Sequence, residues 1–374
     1  MSKSAGFTRQ SIASPSGLEL EVLLSLLTNV RVPTATLICQ MSDSDPTNMS
    51  AQAFIDQVRK SGLVPSNVLD QAVNSLTAAE GADQIRGIEL AAKFAETGLI
   101  TGWQCGKLLC GIHRGFFVHR YRLLGHLGVG RASIACLAQN EDLKNLVSFK
   151  YFPQTFAQDK SLVTWWSGRT RTFAQAIDPR LSRVLDRGHD GSLYYVVRDF
   201  VEGINLGSLV RQFGKLPLKA AIVLVTHIGS AVDAAHRAGQ VFGSLNSRNI
   251  VVNLNGQIRI ISLGLPCVSS RPDVAAVGTT RTEWQCFTAP EINMHGADLT
   301  PVTDIYSIGC ILGLLVTGLG PLPSPEETAN LYLPFIPSSL GCLAEILKKS
   351  LKKNPAERYQ SITELLAALL RVNP

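Results

Sequence analysis

The sequence predicts an α+β fold built from three successive parts, because the spacing of its apolar residues changes twice along the chain. Between residues 49 and 115 apolar residues recur every three or four positions, which is typical of short packed helices. After Tyr121 they form short runs separated by tight turns, as strands do. Helical spacing returns at Lys219 and continues to the end of the chain. A small helical region, a sheet-rich part and a helix-rich part are therefore expected in that order.

Composition indicates a folded protein with a sizeable core. The 374 residues are 45% hydrophobic and 17% charged, which excludes disorder as the general state. The net charge of +6 is spread without a block of Lys and Arg, so no nucleic-acid partner is expected. No run of about 18 uninterrupted apolar residues is present, so we expect no membrane span and a cytoplasmic protein. The eight cysteines are scattered without a C-x-x-C pair, which favours reduced thiols.

The individual elements follow from the same spacing. Residues 1–48 mix Ser, Thr and Pro and are expected to be irregular or disordered. Residues 49–115 are expected to hold several short helices, punctuated by glycines. The expected strands are Tyr121–Leu127, Ala132–Ala138, Leu146–Tyr151, Leu193–Val197, Ile250–Val252 and Ile258–Ile261.

Gly128, Gly130 and Lys150, in the sheet-rich part, belong to two motifs that resemble the nucleotide-binding motifs of protein kinases. Gly128 and Gly130 resemble the start of the glycine-rich loop, whose backbone N–H groups approach phosphates closely. Ser133 replaces its third glycine. Lys150 ends a run that resembles V-A-I-K, whose lysine pairs with the ATP phosphates. The resemblance therefore implies a nucleotide-binding role for both glycines and for Lys150.

The partner that this lysine normally has is missing. No glutamate occurs between Asp142 and Val201, and Arg169 falls near the position of the helix glutamate in the family. Like charge there would repel Lys150. Arg198 falls at the usually apolar gatekeeper position, where it would pair with a carboxylate or reach the nucleotide pocket. The other interpretation is a register error that leaves Arg198 at the surface.

The segment around Ser244 resembles a kinase catalytic loop, H-R-D-L-K-P-x-N, that has lost its reactive groups. Ser244 takes the place of the catalytic aspartate, and Asn246 that of the lysine which steadies the γ-phosphate. Only Asn249, a metal ligand in the family, is retained. Ser262 takes the place of the D-F-G aspartate and is a poor ligand for Mg²⁺. No intact catalytic residue is therefore expected, and Asn249 alone would bind a metal weakly.

Structural landmarks of the same family are better kept. Glu291 lies in an A-P-E sequence, Asp304 opens the central buried helix, and Arg358 matches the arginine that pairs with the A-P-E glutamate. These residues hold the helical lobe together in the family, and their order and spacing are specific.

The chain is identified as similar to the bacterial Ser/Thr protein kinases of the eukaryotic type over roughly residues 119–372. That resemblance implies a two-lobed fold with a β-rich N-lobe at 119–201 and an α-helical C-lobe at 202–372, preceded by the helical region. We interpret the protein as a pseudokinase that regulates or scaffolds a partner kinase or its substrates. Two alternatives stay open: a weak or atypical Ser/Thr kinase, and a nucleotide sensor that binds ATP without turnover. ATP is a candidate ligand in each case, whereas Mg²⁺ is poorly provided for.

Overall fold

The structure, a computed structural model, describes residues 49–80, 86–129, 133–152, 154–175, 177–261, 286–293 and 299–372. Its described residues form two compact units. The first unit holds those up to residue 177 together with 182–201, and the second holds 178–181 and those from 202 onward. Elements are numbered below among the described residues.

The first unit begins with four helices that share one apolar core. Their inward positions repeat at helical spacing, so that Phe54, Leu69, Phe94 and Leu108 are completely buried. Left-handed Gly62 ends the first helix, where a side chain would be strained. The helices are α1 (Ala51–Ser61), α2 (Ser66–Glu80), α3 (Gly87–Glu96) and α4 (Gly102–Leu109).

A six-stranded antiparallel sheet follows, in the order β1-β2-β3-β4-β6-β5. One face carries an apolar cluster that includes Phe149, Tyr195 and Val197. The strands are β1 (Phe117–Val118), β2 (Tyr121–Val129), β3 (Ile134–Asn140), β4 (Leu146–Tyr151), β5 (Val184–Asp190) and β6 (Leu193–Asp199). Two helices connect β4 to β5, namely α5 (Gln154–Gln158) and α6 (Lys160–Phe173).

The helical region is attached to this sheet through α4. Thr101 Oγ1 donates to the carbonyl of Leu124 at 2.5 Å, and Gln104 Nε2 donates to that of Leu123 at 2.7 Å. Strand β2 changes register immediately after Leu123, so these side chains bind carbonyls at a β-bulge. Trp103 packs edge-on to Phe116 between the two cores. The helices and the sheet thus belong to one compact unit.

The second unit is helical apart from a small sheet ordered β7-β8-β9. Its strands are β7 (Ile204–Asn205), β8 (Ile250–Val252) and β9 (Ile258–Ile260). Its described α-helices are α7 (Leu206–Phe213), α8 (Leu218–Arg237), α9 (Pro301–Thr317), α10 (Pro325–Tyr332), α11 (Gly341–Ser350) and α12 (Ile362–Leu369). Almost every residue of α9 is buried, so this helix is the centre of the unit.

One described helix, α8, is long and apolar enough to cross a membrane by length and composition. Half of this apolar stretch is buried inside the chain, and the core helix of a globular unit can be equally long and apolar. Helix α8 contains no uninterrupted apolar run because Thr226, His227 and Ser230 lie within it.

The order of the three parts is the predicted one, but several elements were missed, β5 and α7 among them. Strand β5 has the sequence VLDRGHD, whose polar residues hide the strand pattern; it lies at the edge of the sheet, where exposed side chains are tolerated. Helix α7 precedes Lys219, where helical structure was expected to resume.

Candidate functional site

Candidate residues occur in both units, and each set is described separately. In the second unit, the Asp304 carboxylate anchors the loop that precedes Ser244. It is completely buried and accepts from the backbone N–H groups of Phe242 at 2.8 Å and Gly243 at 2.7 Å. It also accepts from His236 Nε2 at 2.8 Å, since an ionised carboxylate can only accept. Three donors therefore fix the start of the loop.

The side chains of Asn246 and Asn249 hold the loop together from inside. Their Nδ2 groups donate to the carbonyl of Ser244 at 3.1 and 3.0 Å. Asn246 Oδ1 also accepts from the backbone of Arg248 at 3.0 Å. Asn246 is thus committed to the backbone and does not replace a lysine that steadies a phosphate. The side chain of Ser244 supplies a hydroxyl where a carboxylate would be needed to accept a proton.

Gly243 explains part of this local structure. Its φ is +68°, a conformation that disfavours every residue with a side chain. A Cβ there would also lie 2.8 Å from Leu299 Cδ2. An arginine, which the family carries at this position, does not fit this backbone.

Glu291 and Arg358 form a buried ion pair in the same unit. Arg358 Nη1 and Nη2 donate to Glu291 Oε1 and Oε2 at 2.7 and 2.8 Å, while Nε donates to the carbonyl of Lys352 at 2.7 Å. The guanidinium also lies over the ring of Tyr306, 5.1 Å from its centroid. Arg358 is only 1% exposed, and the protein pairs its charge and provides acceptors for its N–H donors.

In the first unit, Lys150 lies on β4 opposite Val196 of β6. Burial lowers the pKa of its ammonium to about 8, and the nearby positive charge of Arg198 contributes. None of the described carboxylates forms an ion pair with it. The missing glutamate is therefore not replaced from within the described residues.

Arg198, on β6, is a second cation of the same sheet. It is 5% exposed, which excludes the alternative of a surface position. Its Nη2 donates to the carbonyl of Ser182, while Nε and Nη1 are buried without a hydrogen-bond partner among the described residues. Burial lowers its pKa to about 10, and Asp199 opposes that shift.

Arg187, a third cation of this sheet, lies on β5 and contacts helix α6. Arg187 Nη1 donates to the carbonyl of Ser167 at 2.8 Å and to Thr170 Oγ1 at 3.0 Å. Arg169, on the same helix, places its guanidinium 5.3 Å from the ring centroid of Phe173. A positive charge that acts on Lys150 is that of Arg198.

The remaining candidates divide between described and undescribed residues. Gly128 lies on β2 opposite Ala135, next to a change of register. Gly130 and Ser262 lie outside the described residues.

Sequence reasoning missed two residues that contribute to these sites. His236 ends α8, and its contact with Asp304 spans 68 positions of sequence, so no local pattern signals it. Arg187 lies on the unrecognised strand β5. Chemically, the described residues offer cations and hydrogen-bond donors, while the loop at 242–249 offers no carboxylate side chain.

Comparisons with known proteins bear on this geometry. Residues 121–374 match the family described as the protein kinase domain. Serine/threonine-protein kinase PknB of Mycobacterium leprae is 28% identical over 273 residues, which cover 68% of this chain and 43% of that protein. The probable serine/threonine-protein kinase CPE1738 of Clostridium perfringens is 25% identical, covering 68% of this chain and 38% of that one. The chain thus spans about two fifths of the length of these relatives.

Solved structures agree on the fold. The crystal structure of the Mycobacterium tuberculosis PknI kinase domain aligns with a TM-score of 0.55 at 22% identity. The alignment covers 68% of this chain and 97% of that one. This likeness confirms the predicted two-lobed kinase fold, with a sheet-rich N-lobe and a helical C-lobe.

Proposed function

The chain belongs to the protein kinase family, and we propose that within it the protein is a pseudokinase, a kinase-fold regulator or scaffold that does not transfer phosphate. The single observation that carries the proposal is the loop at 242–249. Its backbone is held by Asp304, Asn246 and Asn249, yet the residue at the catalytic position is Ser244. The frame of the reaction is kept without the group that accepts the substrate proton.

The size of the loss supports this proposal. A positioned general base contributes about 10²–10⁴ to rate, or roughly 3–5 kcal/mol. Ser262 in place of the metal-binding aspartate removes a further contribution, because Mg²⁺ prefers carboxylate oxygens. Asn249 Nδ2 is already bound to the carbonyl of Ser244, so this side chain offers a metal only its amide oxygen.

As a regulator the protein would act by binding, in the cytoplasm, to a partner kinase or to that kinase's substrates. The packed kinase frame would present the surface that such a partner binds. The Glu291–Arg358 pair and the buried helix α9 keep that frame without a requirement for catalysis.

The test is a phosphoryl-transfer assay on the purified chain, with labelled ATP, Mg²⁺ or Mn²⁺, and general protein substrates. Lys150→Met removes the one lysine of the V-A-I-K run, and Lys144→Met is the matched control, because Lys144 is exposed and pairs with Glu141. We expect no transfer above the Lys150→Met background in any sample.

Transfer that stops on Lys150→Met and persists in Lys144→Met would overturn the proposal and favour a weak Ser/Thr kinase. Partner binding is tested separately by crosslinking in cells of the source organism followed by identification of crosslinked kinases or their substrates. Recovery of no such partner would contradict the regulatory role.

A further inference from the structure

Strand β2 has an open edge along its second half. Its neighbour β1 is two residues long and pairs with Tyr121 and Arg122. Phe116 extends this contact by one bond, since its carbonyl accepts from the N–H of Leu123 at 2.7 Å. Beyond that bond, no strand among the described residues pairs with β2 on this side. The backbone groups at such an edge need other partners.

Helix α4 supplies those partners through two side chains that also begin the helix. Gln104 is 1% exposed; its Nε2 donates to the carbonyl of Leu123, and its Oε1 accepts from the N–H of Thr101 at 2.9 Å. Thr101 Oγ1 donates to the carbonyl of Leu124 and accepts from the N–H of Gln104 at 3.2 Å. The bonds between Thr101 and Gln104 form a capping box. The same two side chains therefore start α4 and cover the edge of β2.

The stretch of β2 that α4 covers is irregular and leads to Gly128. Its register against β3 skips Leu124 and again Leu127, which makes two β-bulges in succession. Each bulge locally disrupts the ladder of bonds between the strands. The conformation of this stretch therefore depends on the bonds from α4 as well as on its pairing with β3.

The opposite face of α4 belongs to the core of the helical region. Cys105 and Leu108 of α4 are buried in one apolar cluster with Leu69 of α2. Trp103 lies toward the sheet, with its ring centroid 5.3 Å from that of His126 on β2. A movement of α4 out of the helical core therefore also moves the side chains that hold β2.

We propose that the helical region is a conformational device that acts in cis on the sheet, in which α4 and residues 121–128 open and close as one cooperative unit. Undocking α4 removes the partners of the Leu123 and Leu124 carbonyls, and a buried polar group without a partner is unfavourable. Opening of one element alone is therefore disfavoured. An event that loosens or tightens the helical core reaches the end of β2 that carries Gly128. This inference goes beyond the pseudokinase proposal, because it gives the helical region a role of its own.

The experiment is hydrogen–deuterium exchange of the full chain at pH 7, with mass spectrometry of peptides that cover residues 101–110, 121–128 and 204–213. Gln104→Glu keeps an acceptor for the Thr101 N–H and removes the donor to Leu123. Since one buried hydrogen bond is lost, we expect exchange in both 101–110 and 121–128 to accelerate about tenfold. Exchange in 204–213, in the second unit, should change less than twofold. The matched control is Gln71→Glu on the exposed surface of α2, which should change exchange less than twofold in every peptide.

A second substitution tests whether a change inside the helical core is transmitted to the strand. Leu69 is completely buried on α2, so Leu69→Ala opens a cavity in that core. We expect it to accelerate exchange in 121–128 at least threefold. In the double variant with Gln104→Glu this added acceleration should vanish, because the connection is already broken. If Leu69→Ala proves unfolded by circular dichroism, Leu69→Val opens a smaller cavity and takes its place.

Faster exchange in 101–110 alone after Gln104→Glu would overturn the proposal, because α4 and β2 would then open independently. Unchanged exchange in both peptides would also overturn it, as would an effect of the Leu69 variant that stays within residues 51–110 or persists undiminished in the double variant. Equal acceleration in all peptides, including 204–213, would indicate a global loss of stability and contradict it as well. None of these outcomes bears on the pseudokinase proposal, which is tested by phosphoryl transfer.

Discussion

Two buried arginines, one in each unit, are treated in opposite ways by their surroundings. Arg358 is 1% exposed and makes a bidentate pair with Glu291 together with hydrogen bonds to backbone carbonyls. Arg198 is 5% exposed and, within the part of the chain that the structure describes, has one acceptor, the carbonyl of Ser182. The protein itself supplies acceptors for Nε, Nη1 and Nη2 of the first guanidinium, whereas Nε and Nη1 of the second have none among the described residues. The two arginines therefore differ in whether their buried charge is paired within the described residues.

The largest change in the free energy of unfolding should come from breaking the ion pair of Glu291 and Arg358. Glu291→Ala leaves Arg358 buried without its counter-charge, which we expect to cost about 3–5 kcal/mol in the free energy of unfolding. Urea denaturation followed by circular dichroism measures it. Glu345→Ala is the control, because its pair with Lys348 is exposed and should be worth less than about 1 kcal/mol. Equal losses in the two variants would remove the contrast.

Removing the charge of Arg198 should stabilise the protein, which is the opposite of the effect expected for Glu291→Ala. Arg198→Met replaces a buried, partly unsatisfied charge by an apolar side chain, and should stabilise the ligand-free protein by about 1–4 kcal/mol. The midpoint of thermal unfolding, measured in buffer without phosphate, should rise. A lower midpoint than wild type would mean that Arg198 is structural after all, like Arg358.

The backbone gives a smaller test of the same frame. Gly243→Ala must adopt φ +68° and meet Leu299, so we expect a loss of about 1–2 kcal/mol in unfolding free energy. Gly106→Ala is the matched control: no atom lies within 4 Å of its added Cβ, and alanine favours the helix by about 0.5–1 kcal/mol. The two substitutions should therefore move the urea midpoint in opposite directions, and a shift in the same direction would argue against strain at Gly243.

The smallest effect concerns the charge of Lys150. Its pKa in the folded chain is lowered to about 8 from 10.5, so between these values the unfolded state binds more protons and stability rises with pH. The gain should be about 1 kcal/mol or less because Lys150 is partly exposed and solvent screens it. The stability of wild type relative to Lys150→Met, measured by urea unfolding at pH 7 and pH 10, reports it. A relative stability that falls over this range would contradict the lowered pKa.

Much of the fold was predictable because the local spacing of apolar residues indicates most of its helices and strands. Strand β4 and strand β8 lie where their apolar runs predicted them, and helix α9 begins beside Asp304 as expected. Strand β5 was not predictable, because its edge position allows polar residues that hide the pattern. Local spacing indicates which elements form and fails where burial on one face is weak.

The sequence identified which residues belong to the candidate sites, but it did not predict which hydrogen bonds they make. The sequence placed Arg198 at a normally apolar position, and the structure buries it. The absence of an acceptor for its Nε and Nη1 among the described residues depends on the register of β4, β5 and β6, which arises from long-range pairing. The binding of His236 to Asp304 is long-range in the same way. Residue types at motif spacing therefore identified the candidates, while three-dimensional packing decided which charges are satisfied.

The most direct measurement is the affinity of ATP for the full chain with and without Mg²⁺, by isothermal titration. If Ser262, in place of the metal-binding aspartate, removes the metal site, Mg²⁺ should leave the affinity unchanged within about threefold, or lower it by shielding the phosphates. A tenfold or greater gain in affinity on addition of Mg²⁺ would show a working metal site and contradict the account.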